Sequence, residues 1–237
     1  MQPNGLRTGT VYIVMAMDIK QMNLDQARFN MVEQQIRTWE VLDQEVLDLL
    51  FEVRREEFVP PNAQSLAFVD MEIPLGLGEI MLAPKMEARM LQELSVKSTD
   101  KVLEIGSGSG YMTALLAKRA AFVESVEIVP ELSAFAAKNL AAHRIENVKL
   151  HVGDAAKGWS GGPYDVIVLT GSTPILAPAF LSMLNPGGRL LAVIGDAPVM
   201  KATLFNAAEK GEIARVELFE TCVKPLRNAP QPERFVF

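Results

Sequence analysis

The chain of 237 residues is 49% hydrophobic and 22% charged, long enough for one large domain with a well-buried core. Its formal charge of −6 argues against an extended phosphate-binding surface, because non-specific nucleic-acid binding rests on clustered lysine and arginine; no nucleic-acid partner is expected. One cysteine, Cys222, excludes an intramolecular disulfide framework and a cysteine-based zinc cluster, fits a reducing, cytoplasmic setting, and is expected as a small core residue in the apolar run around it.

Residues 10–17, TVYIVMAM, with Arg7 before them, superficially resemble a signal peptide. Their apolar core is only about seven residues, at the bottom of the ~7–15 range, and Asp18 and Lys20 follow at once. Residues 1–22 are therefore expected as a flexible leader, with Met17 a natural start. No stretch reaches the ~18 apolar residues of a membrane span, and no membrane partner is expected.

From Asn23 the pattern turns helical. Asn23 with Gln26 resembles a capping box, and Leu24, Ala27, Met31, Val32 and Ile36 recur at helical spacing. A second helix is expected from Asp43 as N-cap, with Val46, Leu47 and Leu50 on one face, and FVPP at 58–61 ends that region because prolines cannot continue a helix. The stretch LGLGEIMLAPKM, residues 75–86, reads as a substrate loop. Gly76 and Gly78 allow the backbone a tight path, and Pro84 suits the first position of the helix that follows. Yet the stretch contains no hydroxyl, histidine or thiol.

After Lys97, strand-like and helix-like segments alternate: KVLEIGS, GYMTALLAKRA, AFVESVEI, PELSAFAAKNLAAH, NVKLHVG, YDVIVLT, PILAPAFLSML, an NPGG turn and RLLAVIG. Alternation with short connections implies right-handed crossovers and a parallel sheet covered by helices on both faces. MKATLFNAA and IARVELFETCV, flanking EKGE, read as a final antiparallel hairpin. Residues 23–97 are thus expected as helices and a substrate loop packed on a ligand-binding core at 98–237.

The strongest signal is VLEIGSGSGY, residues 102–111. Its glycines let the chain turn sharply from strand to helix and bring backbone close to a ligand at the C-terminal edge of the sheet. A dinucleotide site wants G-x-G-x-x-G with pyrophosphate on the helix N-terminus. Here Gly106, Gly108 and Gly110 are spaced G-x-G-x-G, and Glu104 stands before the first of them. A carboxylate near this turn would repel a pyrophosphate but suits the ammonium and sulfonium of S-adenosyl-L-methionine.

Glu127 ends the next strand, close to the ~20-residue spacing of a carboxylate that binds two ribose hydroxyls. Asp154, in GDA at 153–155, ends the third strand and is placed to accept a hydrogen bond from an adenine amino group. Each acid alone reads equally well as a helix cap; in order on successive strand ends they point to a methyl donor. The expected cofactor residues are Glu104, Gly106, Ser107, Gly108, Gly110, Glu127, Ile128, Gly153, Asp154 and Ala155. The expected cofactor is S-adenosyl-L-methionine, with S-adenosyl-L-homocysteine as its product, and no metal is expected.

These residues carry a resemblance to the protein-L-isoaspartate O-methyltransferase family from about Asn23 onward. The matching pieces are MVEQQIR (31–37), VRREEFVP (53–60), LAFVDMEIPLGLG (66–78), the AP.M residues Ala83, Pro84 and Met86, VLEIGSGSGY, VEIVPEL (126–132), GDA, PYDVIVLT (163–170) and LNPGGRL (184–190). The resemblance implies a Rossmann-like class I methyltransferase. That fold has a doubly wound, seven-stranded, mainly parallel sheet, a reversed terminal hairpin and an N-terminal helical extension. It also implies a protein-repair activity that methylates the abnormal carboxylate of isoaspartyl residues in damaged proteins or peptides.

One departure falls on residues 76–86, where the family pattern resembles G-x-G-Q-T-I-S-x-P-H-M, with the serine hydroxyl near the transferred methyl and the acceptor carboxylate. This sequence has Glu79, Ile80, Met81 and Leu82 in place of Q-T-I-S, then Ala83 and Pro84, and Lys85 in place of the histidine.

Attack of a carboxylate on a sulfonium methyl needs no general base, because the carboxylate is already ionised at neutral pH. Orientation can account for ~7–11 kcal/mol of barrier, against about 0.5–1.5 kcal/mol for a lost hydrogen bond, so losing one serine need not abolish catalysis. Three readings stay open. In one, a carboxylate acceptor is retained, Lys85 holds it, and Thr170, Ser172 or Thr173 supplies the missing hydroxyl. In another, Glu79 repels a carboxylate, and Ile80, Met81 and Leu82 form a greasier pocket for a more apolar, cationic or small-molecule acceptor. In the last, the chain binds cofactor as a non-catalytic interaction module. Met81 and Leu82 also read as core packing, Lys85 and Arg89 as a solvated helix face. His143 and His151 are expected to be structural, and GWSGGP at 158–163 reads most simply as a turn, with Trp159 at the pocket border as the alternative.

Overall fold

The computed structural model describes residues 23–208 and 212–233. The expected leader at 1–22, and residues 209–211 of the expected EKGE turn, lie outside the described residues.

Residues 23–31 form helix α1, which passes into a π-helical turn, Val32–Ile36, and a 3-10 turn, Arg37–Trp39. Met31, Val32 and Ile36 are buried, as their spacing requires. Leu24 and Ala27 are only half-buried. The buried side chain they flank is Arg28, paired with Asp25 at 2.8 Å and with Glu56. Helix α2 (Gln44–Glu52) starts where the Asp43 carboxylate accepts the backbone N–H of Glu45 at 2.9 Å. Val46, Leu47, Leu49 and Leu50 then face the core.

The stretch expected as a loop is a β-hairpin. β1 (Ile73–Gly76) pairs antiparallel with β2 (Glu79–Met81), matching Ile73 with Met81 and Gly76 with Glu79. The turn runs through three positive φ angles, 87° at Gly76, 54° at Leu77 and 81° at Gly78. Only the glycines take these at little steric cost. Met81, Leu82 and Ala83 then enter the core, and α3 (Pro84–Leu94) begins with Pro84 in its first turn.

The main sheet has seven strands: β3 (Lys101–Ile105), β4 (Phe122–Glu127), β5 (Val148–Val152), β6 (Tyr164–Thr173), β7 (Leu184–Asp196), β8 (Val199–Ala207) and β9 (Ile213–Thr221). Their order is β5-β4-β3-β6-β7-β8-β9. The first five are parallel; β8 and β9 add as an antiparallel meander. Between the strands run α4 (Tyr111–Arg119), α5 (Pro130–Ala142) and α6 (Pro178–Ser182). The helix expected over 174–184 is shortened to α6, because Pro178 has no N–H to give and therefore opens the helix.

Alternation along the strands splits the core in two. Val102, Val166, Val168, Leu191 and Val193 pack with α1–α4 and the hairpin on one face, while Leu103, Ile105, Ile167, Leu169 and Leu190 pack with Phe180 of α6 on the other. Cys222, expected in the core, is instead exposed, in the segment just after β9 and beside buried Val223. No helix among the described residues is long and apolar enough to cross a membrane.

Candidate functional site

The strand order reverses at β3, whose neighbours β4 and β6 lead away in opposite directions, and open α/β sheets bind ligands at the carboxyl edge beside such a reversal. A cleft of about 640 Å³, counting its open mouth, lies there. Gly106, Gly108, Glu127, Ile128, Gly153, Asp154, Ala155 and Thr170 line it from the sheet side. Glu79 and Ile80 of the hairpin and residues 224–227 line it from the other.

Gly106 takes φ 100°, and a methyl group on it would overlap Thr170 Oγ1. That hydroxyl is pinned by donating to the carbonyls of Ile105 at 2.9 Å and Gly106 at 2.7 Å. A glycine is therefore required for the chain to pass this close to β6.

The Glu127 carboxylate accepts the backbone N–H of Gly108 at 2.9 Å on one oxygen and that of Val129 at 3.0 Å on the other. Each oxygen keeps a lone pair for a ligand hydroxyl. Asp154 accepts the Ala156 N–H at 3.0 Å and the Asn228 side-chain amide at 2.8 Å. Trp159 stands against Gly153, close enough that a side chain there would collide with its ring.

A second recess, lined by Met81, Leu82, Glu87, Ser107, Ser109 and Met112, shares Ile80, Gly106, Gly108 and Thr170 with the cleft. Here the expected greasy residues of the hairpin meet the glycine loop.

Several expected site residues are placed elsewhere. Glu104 is fully buried beneath the glycine loop and does not line the cleft. Its carboxyl accepts from Thr113 at 2.5 Å and Ser125 at 2.6 Å, and Ser125 meets Ser107 at 2.5 Å. It thus braces the loop from below rather than facing a ligand's charge. Gly110 is a packing residue, because a side chain there would press on the Ala136 backbone of α5. Ser172 is buried, donating to the Val223 carbonyl at 2.6 Å. Lys85 turns from the cleft, its ammonium 2.7 Å from Asp70 and 4.1 Å from the centre of the Trp39 ring.

Thr173 likewise donates to Ile175 O at 2.6 Å. His143 stacks on Phe58 at 4.5 Å and His151 meets Trp159 edge-on at 5.4 Å, which are packing roles.

Burial raises the Glu104 carboxyl to about 7 from 4.5, against the lowering effect of its hydrogen bonds from Ser125 and Thr113. A raised acid pKa means the folded state holds the proton more tightly, so this group costs stability as pH rises from about 4.5 to about 7 and adds nothing to the slope above that. Glu104→Gln is expected to remove this slope. Thermal unfolding of both forms between pH 4.5 and pH 8 measures it, and parallel curves would refute it.

The hairpin's acid is not the isolated repulsive charge expected of it. Glu79 accepts from Lys224 Nζ at 2.6 Å on one oxygen and from Arg227 Nε at 2.6 Å on the other. Arg227 also donates to Leu77 O at 2.6 Å, and Lys224 to Gly78 O. Burial would raise the Glu79 carboxyl, but these two cations hold it below the usual range. Lys224 and Arg227 escaped sequence reasoning, as did Arg55, a fully buried guanidinium under the hairpin that donates to Leu82 O at 2.5 Å. The available signal was a pair of cations in VKPLR directly after the last strand, which lies far along the chain from the hairpin.

A sequence profile of the protein-L-isoaspartate(D-aspartate) O-methyltransferase family matches residues 26–228. Protein-L-isoaspartate O-methyltransferase 1 of Anaeromyxobacter sp. (strain Fw109-5) is 40% identical over 192 residues, covering 80% of this chain and 89% of that protein. The protein-L-isoaspartate O-methyltransferase of Methanoculleus marisnigri is 37% identical over 200 residues, covering 84% and 90%. Among solved structures, a candidate protein-L-isoaspartate O-methyltransferase of Plasmodium falciparum, in complex with S-adenosyl-L-homocysteine, aligns with a TM-score of 0.72. It is 21% identical and covers 84% of this chain and 97% of that one, a likeness of fold.

Proposed function

Because the chain belongs to the protein-L-isoaspartate(D-aspartate) O-methyltransferase family, we propose that it transfers the methyl group of S-adenosyl-L-methionine to the free carboxylate of isoaspartyl residues in damaged proteins and peptides. The observation that carries this reading is that the matched residues, 26–228, take in every wall of the cleft, from Glu79 to Arg227.

The cleft suits the cofactor. Glu127 offers two oxygens to a pair of ribose hydroxyls, Asp154 an acceptor to the adenine edge, and Ile128 and Leu132 apolar surface to its faces. The backbone of Gly106, Ser107 and Gly108 runs beside the remaining part of the groove. When bound, S-adenosyl-L-methionine supplies a methyl group whose bond to sulfur breaks as the new C–O bond forms, the electron pair leaving on sulfur.

The chain's own work is to hold the acceptor in line and keep water out, since an ionised carboxylate needs no base. Ile80 and residues 224–227 close over the cleft for that purpose. The pairing of the Glu79 carboxylate with Lys224 and Arg227 answers the argument that it would repel a carboxylate acceptor. We place the enzyme in the cytoplasm, as its single cysteine suits a reducing compartment.

A methyl-release assay with an isoaspartyl peptide and its aspartyl twin tests the reading. Turnover is expected with the first alone. Calorimetric binding of S-adenosyl-L-homocysteine without turnover of either peptide would reject it.

A further inference from the structure

Among the described residues lining the cleft, Lys224 and Arg227 are the two cations. They face it from the strand-like segment that crosses the end of β6, where Leu226 N–H donates to Ser172 O at 2.9 Å and Ser172 N–H to Lys224 O at 3.0 Å. On their own wall they face one carboxylate, Glu79, and carry a surplus of one positive charge, while Glu127 and Asp154 line the sheet side of the cleft. The surplus has donors to spare. Lys224 uses two of its three N–H groups, on Glu79 and Gly78, and Arg227 two of its five, on Glu79 and Leu77. Their side chains are 35% and 43% exposed, open to an incoming ligand.

The hydroxyls and the lysine that the sequence offered for this role are otherwise engaged. Thr170 has committed its proton to two carbonyls, Ser172 and Thr173 donate to backbone oxygens, and Lys85 is held by Asp70.

We propose that Lys224 and Arg227 form the acceptor-carboxylate site of this methyltransferase, with Glu79 as the internal counter-ion that weakens the pair's grip enough for the carboxylate to remain reactive. The inference rests on the isoaspartyl reading and assigns it the residues that fix acceptor specificity. The hairpin that lacks a serine hydroxyl thus acts through the cations its Glu79 gathers.

The alternative is a latch, in which the ion pairs only fasten the hairpin to the C-terminal segment. The two differ in sign at Glu79. As a counter-ion, Glu79 competes with the acceptor, so Glu79→Gln leaves both donors in place and tightens acceptor binding. As a latch, its loss loosens the wall and weakens binding.

The experiment uses the full chain loaded with S-adenosyl-L-homocysteine and calorimetric titration of an isoaspartyl peptide, beside steady-state methyl transfer. Lys224→Met and Arg227→Met are each expected to weaken peptide binding, and to raise KM, by roughly tenfold, the worth of a charged hydrogen bond. Glu79→Gln is expected to strengthen both by about threefold or more. Affinity for S-adenosyl-L-homocysteine is expected to stay within about twofold throughout, and Lys201→Met, which removes an exposed cation from β8, to change nothing.

Weaker peptide binding in Glu79→Gln, unchanged binding in both methionine variants, or loss of cofactor affinity in either would overturn the proposal. If the wild type binds the peptide without turning it over, the isoaspartyl reading fails while the binding arms still judge the site. If the wild type binds no peptide, both fail.

Discussion

Arg55→Met is expected to cost about 3–5 kcal/mol of folding stability, the range for breaking a buried ion pair from one side. Arg55 is fully buried, with its guanidinium on the Glu87 carboxylate, on Ala67 O at 3.0 Å and on Leu82 O at 2.5 Å, and 5.1 Å from the centre of the Tyr111 ring. Methionine fills much of the volume but leaves the Glu87 carboxyl buried without its partner, so it either keeps its proton or, once ionised, stands uncompensated. Burial already raises the Glu87 carboxyl to about 8 against the pull of Arg55. In the variant the group is expected to stay protonated further up the pH scale, so the loss grows as pH rises.

Removing both partners in Arg55→Met/Glu87→Met is expected to restore most of the stability, because a carboxyl left buried without its partner, not a missing contact, causes the loss. Urea unfolding of the two single variants and the double closes the cycle. A cost below about 1 kcal/mol for Arg55→Met would place it with ordinary substitutions and sink the argument.

Gly106→Ala is expected to lower stability by about 1–3 kcal/mol, the cost of one strained backbone residue, and to weaken S-adenosyl-L-homocysteine binding by tenfold or more. Two effects act together. The φ of 100° is poor for alanine, and the new methyl overlaps Thr170 Oγ1, which cannot turn away without abandoning two carbonyls. Adding Thr170→Ala relieves the overlap and not the strain, so partial recovery is expected. Gly76→Ala is the contrast: its φ of 87° is similar, but no atom lies within 4 Å of the added carbon. Calorimetric titration separates them, and wild-type affinity in Gly106→Ala would mean that the cofactor does not lie at the β3–β6 reversal.

Much of this architecture was readable along the chain because its signals are local. The strand-to-helix alternation after Lys97, the Asp43 cap and Pro84 at the start of α3 depend on neighbours within a few residues. Where the reading failed, a distant partner decided. Glu104 carries the acid the motif suggests, but Thr113 and Ser125 draw it under the loop. Lys85 lies in the right segment, yet Asp70 and Trp39 turn it outward. The hairpin at 73–81 reads as a loop in the sequence because a four-residue strand and a three-residue strand are too short to show alternation.

By itself the sequence determined the class of protein: a parallel sheet with a glycine turn and acids on successive strand ends, because glycine tolerance and hydrophobic period are properties of residues and their near neighbours. Only the tertiary structure decided which charges face the cleft. Glu79 reads as a repulsive acid in the chain and becomes a counter-ion in the fold, since Lys224 and Arg227 reach it at 2.6 Å from a segment at the other end of the molecule's sequence. The sign of a site is a sum over groups brought together in space, and Coulomb energy depends on that distance rather than on separation along the chain.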